Sequence, residues 1–520
     1  MNLVEKLRER AELHPSRTAL IDSQTNISYD TLYQKVCSGS QILQSNGLKQ
    51  GDRVLILIPV SIDLYIAFLS ILHAGLTVIL LDPSADKNSI KLNLENTPAH
   101  ACIGIAKAQL LRITHAPIRS IPLHFCNNRL LPFTKVWHPR PNKKFLPKLV
   151  EQNHPALITF TSGSTGRPKV ACRSHGFLLA QHTELAESLN LRESETDLIT
   201  LPVFAIANLA SGLTSVIANT NLAKPGSVDA DAINQQVRKH SITRCSASPA
   251  FFQSLLKQQK LPAFKQLYTG GAPVFPHFLA ELQSELPEST ITIVYGSTEA
   301  EPISHQVWSE TSAAQRHTMQ NGRGLLVGKP SRGTRLKIIK DSTGHSIPPL
   351  TYKKFEMMEC KVGETGELVV SGEHVLKSYL NNELNSETKF SVDGEIWHRT
   401  GDAACIQNDQ TIWLQGRCKA AFQSQGSTIY PFGIECSAMF DPRIERCALV
   451  KKNGKITLTY QGQLNENHQK SLLSTLSLFG VEQLLQLNKI PVDKRHNAKI
   501  DYPALESVIA DIPDKDLTHL

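Results

Sequence analysis

Apolar positions recur along this chain in two rhythms, short continuous runs and helical repeats, and the two alternate over most of its length. Leu3, Val4, Leu7 and Leu13 fall at helical spacing near the start, which predicts a surface helix; acidic residues this early do not suit a secretion signal. A short apolar run at 19–21 precedes a hairpin-like segment and a helix over 29–46. Residues 54–81 are apolar enough and long enough to span a membrane. Pro59, Asp63, His73 and Gly75 interrupt them, however, and divide the run into a strand over 53–58, a helix over 62–73 and a strand over 76–81. Buried parallel strands read as unbroken apolar runs, so the segment is expected to be a βαβ unit rather than a transmembrane helix.

Between 102 and 133 the pattern loosens, and 132–147, rich in Pro and basic residues, reads as a connecting loop. Alternation returns after 150: a strand over 156–160, a helix over 176–189, a strand over 198–204 and a helix over 207–217. A strand over 242–246, a helix opened by Ser248-Pro249-Ala250, and strands over 265–269 and 290–295 follow. Residues 330–415 carry short strands at 336–339, 366–370 and 412–414, the mark of a small β-rich subdomain. The last hundred or so residues are enough for a small α+β domain.

Composition narrows the class. A chain of 520 residues with 41% hydrophobic and 20% charged residues is a globular protein of more than one domain. The net charge of +8 is mild and scattered. Its densest basic stretch, RPNKKFLPK at 140–148, has few aromatics and reads as a solvated loop, so no nucleic-acid partner is expected. Ten cysteines stand singly from Cys37 to Cys447 with no Cys-x-x-Cys pair. That argues against structural zinc and for reduced thiols in a cytoplasmic protein.

The chemistry concentrates in ITFTSGSTGRPK. An apolar strand breaks at Thr161 into Ser162, Gly163, Ser164, Thr165 and Gly166, and closes on Pro168 and Lys169. Glycines that let backbone approach a ligand, consecutive N–H groups, four hydroxyls and one ammonium make a polyphosphate cradle. It is not a Walker loop, because Pro168 sits where the helix of that motif begins. Two further strand exits, Gly270-Gly271-Ala272-Pro273 and Tyr295-Gly296-Ser297-Thr298-Glu299, also carry glycine, and ligands of open α/β sheets bind off such ends.

Taken with GETGELVVSG at 363–372, TGD at 400–402, Gly416-Arg417 and Lys499 in RHNAKID, these strings resemble the adenylate-forming superfamily. That group holds acyl-CoA synthetases, peptide-synthetase adenylation domains and luciferases. Nearly the whole chain is covered, with the motifs in order. The resemblance implies an α/β fold: a large N-terminal AMP-binding domain, 1–417, of two α/β subdomains plus a small β-barrel-like subdomain, then a small mobile α+β domain, 418–520. It implies that Thr161 to Lys169 hold the β- and γ-phosphates of ATP, and that Gly271, Ala272 and Pro273 lie along the adenine. Tyr295 would stack on that ring, beside Gly296 and Thr298. Glu299, helped by Thr161, would bind Mg²⁺. Asp402 would take the ribose hydroxyls, Arg417 would contact the ribose–phosphate side, Lys499 would reach the α-phosphate and the acid carboxylate, and Lys419 would be the hinge. Singly, each of these residues has an ordinary structural reading; the set carries the functional one.

The implied activity is ATP-dependent formation of an acyl-adenylate from a carboxylic acid, with transfer to a thiol, either CoA or a carrier phosphopantetheine. Several residues depart from the common pattern. Ala205 stands where many relatives have histidine, and the apolar stretch 205–212 favours an acyl chain over an amino acid. Glu301-Pro302 after the Thr-Glu pair and the RHNAKID ending resemble the branch containing β-lactone synthetases of olefin biosynthesis, whose β-hydroxy acid closes on itself without CoA. That is the alternative reading, and a nucleotide-binding protein without turnover is the third.

Overall fold

A computed structural model describes residues 2–82, 86–161, 169–222, 224–381, 384–424, 426–492, 499–513 and 517–519. The first sheet has seven strands, in the order Lys135–Val136, Leu123–Cys126, Ala101–Gly104, Arg53–Leu57, Thr77–Leu80, Pro155–Thr161 and Lys169–Ser174. All neighbours are parallel except the last pair. Strand Arg53–Leu57 shows why its sequence lacks alternation: Val54 and Ile56 enter one core and Leu55 the core on the opposite face. Helix Ile62–His73, capped by Ser61, is buried at every position but Asp63. It is the interior helix of the expected βαβ unit, and no helix among the described residues is long and apolar enough to cross a membrane.

The second sheet has fourteen strands. Six are parallel, running from Thr290–Ser297 through Gln266–Gly270, Arg244–Ala247, Thr196–Ile199 and Thr214–Ile217 to Thr18–Ile21. From Thr290–Ser297 the sheet continues, antiparallel, through Ala300–Val307, Leu325–Pro330, Ile412–Arg417, Glu395–Ile406, Gly366–Ser371 and Arg335–Ile339. The β-rich segment after 330 is therefore an open extension of this sheet and not a closed barrel. It joins through Ile412–Arg417, which pairs with Leu325–Pro330, while its outer strand, Arg335–Ile339, pairs with Gly366–Ser371 and not back onto the sheet, so no ring closes.

Two expectations around residue 200 need correction. The strand ends at Ile199, Pro202–Ser211 is a helix, and Thr214–Ile217 is a strand. Pro202 occupies the first helical turn, where its missing N–H costs nothing, and Gly212, at φ +83°, ends the helix in the left-handed region. Beyond it β-branched residues enter the sheet beside Thr18–Ile21. The breakpoints of this apolar run therefore lie earlier in the chain than its pattern predicts. The opening helix, Val4–Leu13, is the expected surface helix: Leu3, Val4 and Leu7 form its buried face, while Leu13 at its end is exposed.

The small C-terminal domain is α+β. Strands Ile444–Lys452, Lys455–Gly462, Gln483–Gln486 and Leu517–His519 form one sheet, with helices Pro431–Ala438, Glu466–Ser477 and Tyr502–Ala510. It has its own cores, one around Leu458 and Leu473 and one around Leu485 and Leu505. Helix Pro431–Ala438 docks it on the large domain. Ser437 Oγ donates to the Gln320 carbonyl at 2.6 Å, and Phe275 and Phe432 rings lie 6.1 Å apart.

Candidate active site

Three strand ends converge where the two sheets meet. Strand Pro155–Thr161 ends at the start of the phosphate-loop sequence, and its last residue pairs in register with Lys169. Ser162, Gly163, Ser164, Thr165 and Gly166 lie outside the described residues. Arg173, 7% exposed, ties this end to the second sheet: Nη1 donates to Thr159 Oγ1 at 2.9 Å and Nη2 to the Thr298 carbonyl at 2.8 Å. Two neighbouring strands of the second sheet, paired Gly270 to Val294, bring the Gly271 turn beside Tyr295. Gly271 has φ +79°, and a Cβ there would meet nothing within 4 Å. Gly271 thus borders open space, as a flat ring requires, and Ala272 and Pro273 follow it in the chain.

Thr298 and Glu299 form the turn between Thr290–Ser297 and Ala300–Val307. The Glu299 carbonyl accepts from Leu376 N at 2.7 Å, and its side chain accepts from the Tyr379 hydroxyl. Lys169 Nζ and Lys389 Nζ lie 5.5 and 5.4 Å from the Tyr379 ring centroid. Burial opposes the charged form of Glu299. The field of His398, the Tyr379 hydrogen bond and the ammonium groups of Lys169 and Lys389 outweigh it and hold the carboxyl down to about 2. Burial takes His398 itself down to about 3, so near neutral pH the imidazole is uncharged. There Tyr379 and the two lysines keep Glu299 ionised. His398 Nδ1 lies 3.1 Å from the Thr388 carbonyl, an acceptor, which places the ring proton on that nitrogen. Burial also lowers Lys389, to about 7, and lowers Lys169; Glu299 pulls each back toward its charged form.

A second group lies at the far edge. Tyr295 donates its hydroxyl to Asp402 Oδ2 at 2.6 Å, and Arg417 Nη1 donates to Asp402 Oδ1 at 2.7 Å. Asp402 and Arg417 are register partners on adjacent strands, with Gly401, at φ +70°, turning the chain just before. Burial raises the Tyr295 phenol well above its usual range, and the Asp402 charge adds to that. The residue before Thr400 has a different duty: buried Arg399 is locked to Glu367, with Nε at 2.9 Å from Oε2.

Lys419 is exposed in the short turn Cys418–Ala420, immediately after Arg417. Lys499 is exposed beside Ile500, which bridges Val492, and Asp501 caps the last helix. No hydrogen bond or ion pair between described residues joins Lys499 to Glu299, Asp402 or Lys169. The structure therefore gathers Lys169, Tyr295, Glu299, Asp402 and Arg417 and leaves Lys499 on the C-terminal domain. Ala205 is fully buried in the main core and borders no open space.

Sequence reading missed Tyr379, Lys389 and His398. Each lies roughly eighty residues or more from Glu299, and no spacing rule joins them. Lys389 opens a short strand, Lys389–Val392, a position ordinary for a lysine, so nothing in the sequence marks it.

Comparison with known proteins agrees with this arrangement. Over 488 residues the chain is 26% identical to an olefin beta-lactone synthetase of Xanthomonas campestris pv. campestris, covering 88% of this chain and 86% of that one. It is 26% identical to a 2-succinylbenzoate–CoA ligase of Bacillus licheniformis, covering 84% of each. Among solved structures, the anthranilate CoA ligase AuaEII in complex with anthranoyl-AMP superposes with TM-score 0.81 at 16% identity, over 98% of this chain and 97% of that one. O-succinylbenzoate coenzyme A synthetase from Bacillus subtilis, in complex with ATP and magnesium, does so with TM-score 0.74 at 19% identity, over 95% and 98%. The AMP-binding enzyme family matches residues 7–380, and with the strand ends assembled as described, the chain belongs to that family of adenylate-forming ligases.

Proposed function

We propose that the protein activates a carboxylic acid, one with an apolar body such as a fatty acid, as its acyl-adenylate, and passes the acyl group to a thiol such as CoA. The observation that carries this is the presence of two groups where the two sheets meet: Tyr295–Asp402–Arg417, and Glu299 with Tyr379, Lys169 and Lys389. The first is shaped for a nucleoside, the second for phosphate and a hard cation.

In this reading Tyr295 presents its ring to the adenine and Asp402 accepts from the ribose hydroxyls, held in place by the two donors it already has. Lys169 and the loop from Thr161 to Gly166 hold the β- and γ-phosphates. Glu299 suits Mg²⁺, because it is an ionised oxygen ligand oriented by a hydrogen bond. Among the described residues no three His, Cys, Asp or Glu side chains gather to hold a metal by themselves, so a cation here would take further oxygens from phosphate. When bound, Mg²⁺ would supply charge neutralisation on the departing pyrophosphate. The acid carboxylate attacks the α-phosphorus, the P–O bond to pyrophosphate breaks, and the protein's contribution is alignment and opposite charge.

Lys499 serves that step only if the C-terminal domain moves. Lys419, exposed just past Arg417, is the pivot in this account, and the domains are 1–417 and 418–520. A thiol then displaces AMP. The ten cysteines, all free, fit a cytoplasmic setting. A second acceptor has support from the olefin beta-lactone synthetase relatives, which cover 88% of this chain: an internal β-hydroxyl. Product mass decides between them, with plain and 3-hydroxy acids incubated with ATP, with and without CoA. A thioester formed only with CoA supports the first acceptor; loss of water from a 3-hydroxy acid without CoA supports the second. AMP-free mixtures in every case contradict both.

A further inference from the structure

Glu301 begins the strand that leaves the catalytic turn, two residues past Glu299. Ala300 points into the core of the second sheet, so Glu301 faces the opposite side. It lies against the exit of the Tyr295 strand: a Cβ on Gly296 would meet Glu301 Cα at 3.2 Å and Cβ at 3.4 Å. The side chain is half-buried.

What sets this carboxylate apart is its lack of donors. Glu299 accepts from Tyr379, Glu367 from Arg399, Glu435 from Tyr502 and Leu449 N, and Asp197 from Asn208. Glu301 takes no hydrogen bond from any described residue. Arg173 is the cation whose field reaches it, yet Arg173 spends Nη1 on Thr159 and Nη2 on the Thr298 carbonyl. A half-buried carboxylate without a protein donor takes its hydrogen bonds from water or from a ligand, and a ligand that brings a donor here gains a charge-assisted bond.

We propose that Glu301 is a specificity-determining residue of the acid subsite, accepting a hydrogen bond from a hydroxyl or ammonium that the substrate carries close to its reacting carboxylate. The position supports this. Thr159 and Thr298, the two anchors of Arg173, flank the phosphate loop and the Glu299 turn, so Glu301 lies next to the place where carboxylate and α-phosphate meet. This inference rests on the adenylation reading.

Acid-dependent exchange of labelled pyrophosphate into ATP tests it, using short, medium and long straight-chain acids, each as the plain, 3-hydroxy and 3-amino form. The wild type is expected to favour one donor-bearing form over the plain acid by roughly ten- to hundredfold in kcat/KM, the worth of one hydrogen bond to a charged group. In Glu301→Leu that ratio falls to near one. Glu301→Gln retains part of the ratio if the donor is a hydroxyl and loses it if the donor is an ammonium. It also serves as the deciding variant should Glu301→Leu not fold. A wild type without preference, or an unchanged ratio in the variants, overturns the proposal. Absence of exchange with every acid in the wild type is a different result and overturns the adenylation reading beneath it.

Discussion

Tyr379 donates to Glu299 while two lysine ammonium groups lie within about 5.5 Å of its ring centroid, so one phenol aligns the acid and spaces the cations. Removing the hydroxyl leaves Glu299 charged and its rotamer loose. Tyr379→Phe is expected to raise the Mg²⁺ concentration for half-maximal pyrophosphate exchange by about tenfold, the lower end for a charge-assisted hydrogen bond. Mn²⁺ binding followed by magnetic resonance should weaken in parallel. Unchanged metal dependence in a folded variant would show that Tyr379 only fills space. Most of the residues that the structure gathers here were legible in the sequence, because Tyr295, Glu299, Asp402 and Arg417 each stand beside a glycine or threonine that turns the chain. Tyr379, Lys389 and His398 were not, since a bridge between Ala300 and Val375 and the Leu376 N–Glu299 carbonyl bond, and no local spacing, bring that segment to the turn. Glu301 was visible as an oddity, but its missing donors could be seen only in three dimensions.

Elements were readable where their ends carry chemical punctuation. Ser28 and Ser61 cap helices Tyr29–Ser45 and Ile62–His73, and both were expected within a residue. Between 198 and 217 every residue is apolar or small, and Pro202 and Gly212 were the breakpoints that mattered. In helix Pro431–Ala438, Glu435 has a consequence the sequence could not give. Its Oε1 accepts from Leu449 N at 2.8 Å and Tyr502 Oη at 2.7 Å, but burial dominates and pushes the carboxyl up to about 7 from 4.5. The folded chain then binds this proton more tightly than the unfolded chain. Its contribution to stability therefore falls as pH rises from about 4.5 to about 7 and is constant above that. Glu435→Gln keeps an oxygen for both donors. The variant is expected to resist denaturant better than the wild type at pH 8, with the difference vanishing near pH 5. Equal midpoints at both pH values would contradict the account of Glu435.

On the scale of the whole molecule, the two-domain architecture was legible, and the way the domains dock was not. The docked helix fits because Gly433 has no side chain: a Cβ there would sit 2.2 Å from the Gly322 carbonyl oxygen. Gly433→Ala is expected to cost the docked arrangement about 1–3 kcal/mol, as overpacked contacts do. It should speed limited proteolysis between the domains while the large domain keeps its melting midpoint. Unaltered cleavage would show that this contact does not hold the domains together.

Lys499 sits on the C-terminal domain, with no hydrogen bond or ion pair to Glu299 among the described residues, so acyl-adenylate formation turns on whether that lysine reaches the α-phosphate. Pyrophosphate exchange into ATP, driven by an acid and without CoA, measures this step alone. The wild type should exchange with at least one acid, and Lys499→Ala should lose exchange while still binding ATP. Near-normal exchange in Lys499→Ala, or none in the wild type with any acid while ATP is bound, would contradict it.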